Sequence, residues 1–94
     1  MRAGKLSNRM TIQKEIILKT ENGVISKQWN DYVTVWTEIK NADKIVFRVR
    51  YISGVELKDR VRYKDKYFNI LDVVNVNERN ILLDITAKEI VKEE

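Results

Sequence analysis

The 94-residue chain holds neither histidine nor cysteine, which excludes zinc centres built on imidazole and thiolate, Ser-His and Cys-His nucleophile pairs, and imidazole proton shuttles. Carboxylate, lysine, tyrosine and serine chemistry is what remains. The three glycines form neither a GxxxxGK loop followed by Ser or Thr nor a GxGxxG turn, so no phosphate-cradling motif is present. Asp72 and Asp84 interrupt otherwise apolar stretches. No spacing pairs them for acid-base work, and each reads equally well as an outward-facing ion-pair partner. This inventory predicts a non-enzymatic protein with no metal and no cofactor, an all-oxygen calcium or magnesium site being the one metal class it still permits.

The second set of candidate residues is basic. Arg48, Arg50, Arg60, Arg62, Lys64 and Lys66 fall in two clusters within a chain of formal net charge +4, and each Arg-x-Arg pair projects from one face of a strand, as a groove following a phosphate backbone would require. The alternative is a solvated outer wall, where strands normally carry charge. Phe47 and Tyr51 alternate to the face opposite Arg48 and Arg50, so no stacking platform for single-stranded nucleic acid is evident. The largest apolar side chains, Trp29 and Trp36, read first as core packing. Trp36 alternates away from Val33, Val35 and Ile39. Either both faces of that strand are covered, or a bulge shifts its register, or Trp36 belongs to a subunit interface.

The elements that must position these residues are strands. An apolar fraction of 44% and a charged fraction of 34% are those of a globular chain, and the length suits one domain over residues 1–94, with a flexible N-terminal segment over residues 1–8. No stretch approaches a membrane span or the apolar segment of a secretory signal, so intracellular synthesis is expected. The periodicity is two. A first strand runs from Met10 to Leu18, Asn22-Gly23 supplies positive φ angles for a hairpin turn, and a return strand covers Val24 to Trp29. Polar Asn30-Asp31 separates it from a strand in which Val33, Val35, Thr37 and Ile39 share a face. Ile45, Phe47, Val49 and Tyr51 then oppose Val46, Arg48 and Arg50, Arg60 to Tyr63 forms a short strand, and Tyr67 to Val74 and Ile81 to Ile90 complete the set around a polar loop, Asn75 to Asn80. The fold class is all-β, a small antiparallel barrel or sandwich with little helix. One helical turn is allowed near the N-terminus or at Leu57-Lys58-Asp59. The expected core is Ile12, Val35, Phe47, Val49, Ile70, Leu83 and Ile85.

Four stretches in order resemble the head-tail joining (head-closure, or head-tail adaptor) proteins of tailed bacteriophages and their prophages. They are the opening MRAGKLSNRMTIQK, then Trp29 followed by Tyr32-Val33-Thr34-Val35-Trp36-Thr37-Glu38-Ile39, the segment from Arg60 to Ile70, and the ending from Val74 to Asn80 with Leu82 to Glu89. The family opens on a Gly-Lys-Leu…Thr-Ile-Gln type of strand, continues with Trp…Val-Trp, and closes on a strand reached through an Asn-x-x-Glu-Arg-Asn type of loop. Relatives carry a longer polar and helical insertion, able to reach into the channel, after the Val-Trp strand. Here Ile39 and Ile45 are separated by Lys40 to Lys44 alone.

The resemblance implies a small β-barrel that forms a homo-oligomeric ring at the portal end of the head and offers a docking surface to the tail. Its partners would be the portal or adaptor and tail-completion proteins, with no membrane contact, and double-stranded DNA would pass through its channel without sequence-specific binding. It would assemble in the bacterial host cytoplasm, where the isolated chain can be a monomer, and finish at the virion head-tail junction. A ring needs two different complementary patches on each subunit. The candidate interface residues are Arg2, Lys5, Arg9, Trp36, Arg48, Arg50, Arg60, Arg62 and Glu89, the basic strands supplying one patch and Glu89, Glu93 and Glu94 part of the other; bare strand edges could also pair between subunits. DNA must slide through such a channel, so these arginines belong at protein contacts, with Arg48 and Arg50 exposed in an isolated subunit and the N-terminal segment ordered by a partner.

Overall fold

The structure, a computed structural model, describes residues 6–41 and 44–90. Six strands, β1 (Asn8–Lys19), β2 (Ile25–Asn41), β3 (Ile45–Arg50), β4 (Arg60–Tyr63), β5 (Lys66–Asn75) and β6 (Leu82–Glu89), close into an antiparallel barrel in the order β1-β2-β3-β6-β5-β4. Of the antiparallel barrel or sandwich expected from the two-residue period, the barrel is what forms. Among the described residues the one helical piece is a 3-10 turn, Val76–Glu78, inside the polar loop before β6. Leu57-Lys58-Asp59 makes a turn and no helix.

Inward-facing residues fill the barrel: Met10 and Ile12 from β1, Phe47 and Val49 from β3, Val61, Phe68 and Ile70 from β4 and β5, and Leu83, Ile85 and Ala87 from β6. Phe47 sits at the centre, edge-on to Phe68 at 5.4 Å and to Tyr63 at 5.9 Å between ring centroids, the geometry that ring quadrupoles favour. Of the expected core, Val35 is the residue that is only half-buried. It lies where β2 has not yet met β3, whose pairing starts at Thr37–Val49. Thr37 is fully buried instead, its hydroxyl donating to the carbonyl of Arg48 at 3.0 Å, which offsets the cost of its burial.

The two strands expected on either side of Asn30-Asp31 are one continuous strand of 17 residues. Ile12 pairs with Val33 while the next residue, Gln13, pairs with Asp31, so Tyr32 is the extra residue of a β-bulge. A bulge reverses the alternation of faces. Above it Val33, Val35 and Thr37 point inward; below it the odd-numbered residues point outward. Trp29, read as core from its apolar bulk, is thereby carried to the outside.

At the far end of the β1–β2 hairpin the amide of Thr20 donates to the carbonyl of Val24 and that of Gly23 to the carbonyl of Thr20. The positive φ falls on Gly23 alone, at 78°, and not on Asn22. The loop is thus a five-residue connection closed by one left-handed glycine, rather than a two-residue Asn-Gly turn. β4 pairs with β1 only as far as Gln13, and β3 pairs with β2 only from Thr37. Beyond those points β1 and β2 continue as a two-stranded arm, and the molecule measures 52 × 32 × 19 Å.

Candidate functional site

The two arginine clusters do not make one surface. β3 and β4 are three places apart in a six-strand ring, so Arg48 and Arg50 lie on the opposite side of the barrel from Arg60 and Arg62. No single groove for a phosphate backbone can use both pairs, and the single basic patch expected from the two strands is not formed.

Internal partners hold three of the four arginines. Arg48 pairs with Asp84 directly across the β3–β6 ladder, Nε to Oδ1 at 2.8 Å and Nη2 to Oδ2 at 2.9 Å, a two-pronged geometry that suits the planar guanidinium. The hydrogen bond from Arg48 holds the Asp84 carboxyl below its ordinary 3.8 against the opposing effect of burial. Arg48 is consequently neither fully exposed nor free, contrary to the sequence expectation. Arg60 is sandwiched between the rings of Trp29, at 4.4 Å, and Tyr67, at 4.1 Å, and its Nε donates to Gln13 Oε1 at 2.7 Å. Gln13 Nε2 in turn donates to Asp31 Oδ1 at 2.8 Å, and Asp31 Oδ2 accepts from Arg62 at 3.4 Å. This chain of contacts laces the outer wall of β2, β1, β4 and β5. It exists because the Tyr32 bulge brings Asp31 and Trp29 to the outside.

A second polar cluster closes one mouth of the barrel. The Tyr32 hydroxyl donates to the carbonyl of Ser53 at 3.0 Å. Lys14 Nζ donates to the Gly54 carbonyl and, at 2.7 Å, to Asp59 Oδ2, while its ammonium lies over the Tyr32 ring at 4.8 Å. Asp59 Oδ2 also accepts the amide of Glu56 at 2.8 Å, and the Asp59 carboxylate is fully buried. The segment between β3 and β4 is pinned by these contacts over the barrel end. From the sequence, Asp59 belongs to the candidate turn Leu57-Lys58-Asp59 and Lys14 carries no assigned role; a carboxylate three residues after Glu56 in a glycine-containing loop is the available signal, but its partner 45 positions away is set by the register of β1.

The surface that stays uncommitted is the outer face of the middle of β2. Trp36 pairs with Arg9 across the β1–β2 ladder, and the Arg9 guanidinium lies 5.0 Å from the Trp36 ring centroid. On the other side, one register step beyond the Thr37–Val49 pair, stands Arg50. Arg9, Trp36 and Arg50 therefore form one row, with Trp36 53% exposed, and Arg9 also lines a shallow concavity with Thr34, Arg62 and Lys64. Of the three explanations open for Trp36, the bulge lies upstream and leaves it outside, and among the described residues no element covers its exposed half. Glu89 lines a recess with Arg60, Lys66 and Tyr67, where β5 begins and β6 ends. Arg2 and Lys5 lie outside the described residues, as do Glu93 and Glu94 and the first five residues of the N-terminal segment. Among the described residues no three carboxylates cluster as a metal site would need.

The architecture is that of a small closed barrel with laced walls, one capped mouth, a projecting arm and an uncommitted cationic-aromatic row. The model of the phage head completion protein family matches residues 40–90, more than half of the sequence. The chain belongs to that family and is a phage virion structural protein of the head-tail region. The fold is similar to the solution structure of a Shigella flexneri 2a protein, at a TM-score of 0.83 and 18% identity over 99% of this chain and 100% of that one. It is also similar to a chain from the virion of a native gene transfer agent particle, at a TM-score of 0.68 and 18% identity over 92% and 96% respectively. No curated protein matches the chain by sequence.

Proposed function

We propose that the chain is a head-tail joining subunit: a non-enzymatic barrel that assembles as a homo-oligomeric ring at the portal end of the filled head, between portal or adaptor and tail-completion proteins, with double-stranded DNA passing through the ring. The observation that carries the docking role is the row Arg9, Trp36 and Arg50, a large exposed aromatic flanked by two arginines that no carboxylate of the described residues neutralises. Trp and Arg are the residues most enriched where one protein docks on another. The separation of the two Arg pairs, and the engagement of Arg48, Arg60 and Arg62 within the wall, weigh against a nucleic-acid-binding barrel, which needs free cations along one groove. The short link between β2 and β3 leaves little chain to reach into a channel, so the proposed role is ring and dock, without a plug.

The test is the stoichiometry and position of the chain in particles. Junctions extracted from assembled particles and weighed by native mass spectrometry are expected to contain a fixed multiple of this chain together with portal-end proteins. Particles whose heads and tails join normally without the chain would overturn the assignment.

A further inference from the structure

Among the described residues, the arm formed by residues 14–19 of β1 and 25–30 of β2 has no third strand on either side. It exposes Ile17 (62%) and Ile25 (64%) on its outer face, interleaved with Lys27 and Lys19 as their cross-strand partners. An isolated two-stranded ribbon is marginal in water, and its unpaired edges are templates for another strand. The outer edge of β1 starts beside the loop that Lys14 ties down, whereas the outer edge of β2 is clear of any described strand from residue 25 to residue 36.

A longer bare edge than those at the strand ends lies on β5. β5 pairs with β4 only through Asn69 and uses its opposite edge for β6, leaving residues 71–75 unpaired on the β4 side. Exposed Leu71 and Val74 flank this edge. Between them Asp72 points outward beside Thr86, its carboxylate accepting only the amide of Val73. Lys19, Lys27 and Asp72 form no ion pair with any described residue.

We infer that the arm of one copy adds to the next copy of the same chain, residues 25–28 of β2 pairing antiparallel with the bare edge of β5 at residues 71–74, with Lys27 set beside Asp72 and Ile25 beside Val74. The inference rests on the proposed ring and specifies its subunit contact. Strand addition satisfies main-chain groups on both edges, and the charge of the arm's outer face is opposite to that of the edge it meets. The two edges are different surfaces of one chain, so the contact is head-to-tail, the kind that closes into rings.

The absence of cysteine makes the contact testable by disulfide trapping. Particles assembled with a chain carrying both Lys27→Cys and Asp72→Cys are expected, on mild oxidation, to give a ladder of linked multimers ending in a closed species, while either substitution alone gives none. A parallel sample of unsubstituted particles is treated with an amine-reactive cross-linker. Multimers with that reagent, but no ladder from the cysteine pair, would overturn the arm contact and leave the ring standing. Monomer alone in both samples would overturn the ring and the arm contact together.

Discussion

Arg48 and Asp84 face each other across the β3–β6 ladder, each guanidinium nitrogen aimed at its own carboxylate oxygen at 2.8 and 2.9 Å. The alternation of β3 alone makes Arg48 and Arg50 look equivalent, and the neighbouring strand makes them different. Arg48→Glu sets two carboxylates directly opposite one another and is expected to lower stability by about 1–3 kcal/mol. Arg50→Glu is expected to change it by no more than about 0.5 kcal/mol. Urea titrations of the two single variants check this, and reversing both charges should cost what Arg48→Glu costs alone.

The same pair sets an acid limit. The Asp84 carboxyl is held below its ordinary 3.8, chiefly by the Arg48 hydrogen bond. Its contribution to stability is therefore complete above the unfolded value and is lost as pH falls through the lowered folded value. Stability measured from pH 5 downward should fall less steeply in Asp84→Asn than in the wild type, and the Asp84 carboxyl resonance should titrate below 3.8.

Lys14 governs the opposite end of the scale. Burial pulls its ammonium down, but the hydrogen bond to Asp59 and the charges of Asp59 and Glu56 outweigh burial and hold it above the ordinary 10.5. A raised value means the contribution is present below the unfolded value and is lost as pH rises through the folded one. Lys14→Met leaves the buried Asp59 carboxylate without its cation and is expected to cost about 3–5 kcal/mol. Amide exchange in the variant should rise first over residues 51–59, the segment that Lys14 and Asp59 hold over the barrel mouth.

Two left-handed glycines separate backbone strain from collision. Gly23, at φ 78°, has open space where a Cβ would sit, whereas at Gly54, φ 87°, a Cβ would lie 2.8 Å from the Tyr32 hydroxyl oxygen. Gly23→Ala is expected to cost about 1 kcal/mol, the backbone effect alone. Gly54→Ala should cost more, and combining it with Tyr32→Ala should remove part of the added penalty, which a double-mutant cycle measures.

The strand content and much of the core are legible in the sequence because each is a local period-two fact, whereas Trp36, which alternation sets apart from Val33, Val35 and Ile39 but which reads first as core, is placed outside only by the structure. Phe47, Val49, Leu83 and Ile85 follow from alternation inside their own strands. What alternation cannot supply is register. The Tyr32 bulge, which has no residue signature beyond a polar Asn30-Asp31, turns Trp29 outward and creates the Arg60 sandwich. The partners of Arg48 and Lys14 are 36 and 45 positions away, so no pattern along a single strand reveals these ion pairs. The expected interface set divides along this line: Arg9, Trp36 and Arg50 meet in one row, whereas Arg48, Arg60 and Arg62 serve the wall.

That division makes the docking proposal separable from stability. Trp36 lies on the outer wall, 53% exposed, with the Arg9 guanidinium over its ring, so Trp36→Ala removes one cation–π contact, worth about 0.5–1 kcal/mol at an exposed site, and leaves no cavity in the core. Arg50→Glu likewise leaves the barrel intact. A docking site built on this row predicts that particles assembled with either variant contain the folded chain at normal copy number yet join tails poorly, with a loss of tenfold or more if Trp36 is a central anchor, since such anchors commonly carry about 2 kcal/mol or more. Arg48→Glu serves as the opposite control: it should lower thermal stability while heads that retain it join normally below its melting transition. The measurement is the ratio of joined to unjoined heads by electron microscopy in complemented lysates. Normal joining by Trp36→Ala and Arg50→Glu together would return the row to plain solvated wall and move the tail-facing surface elsewhere on the barrel.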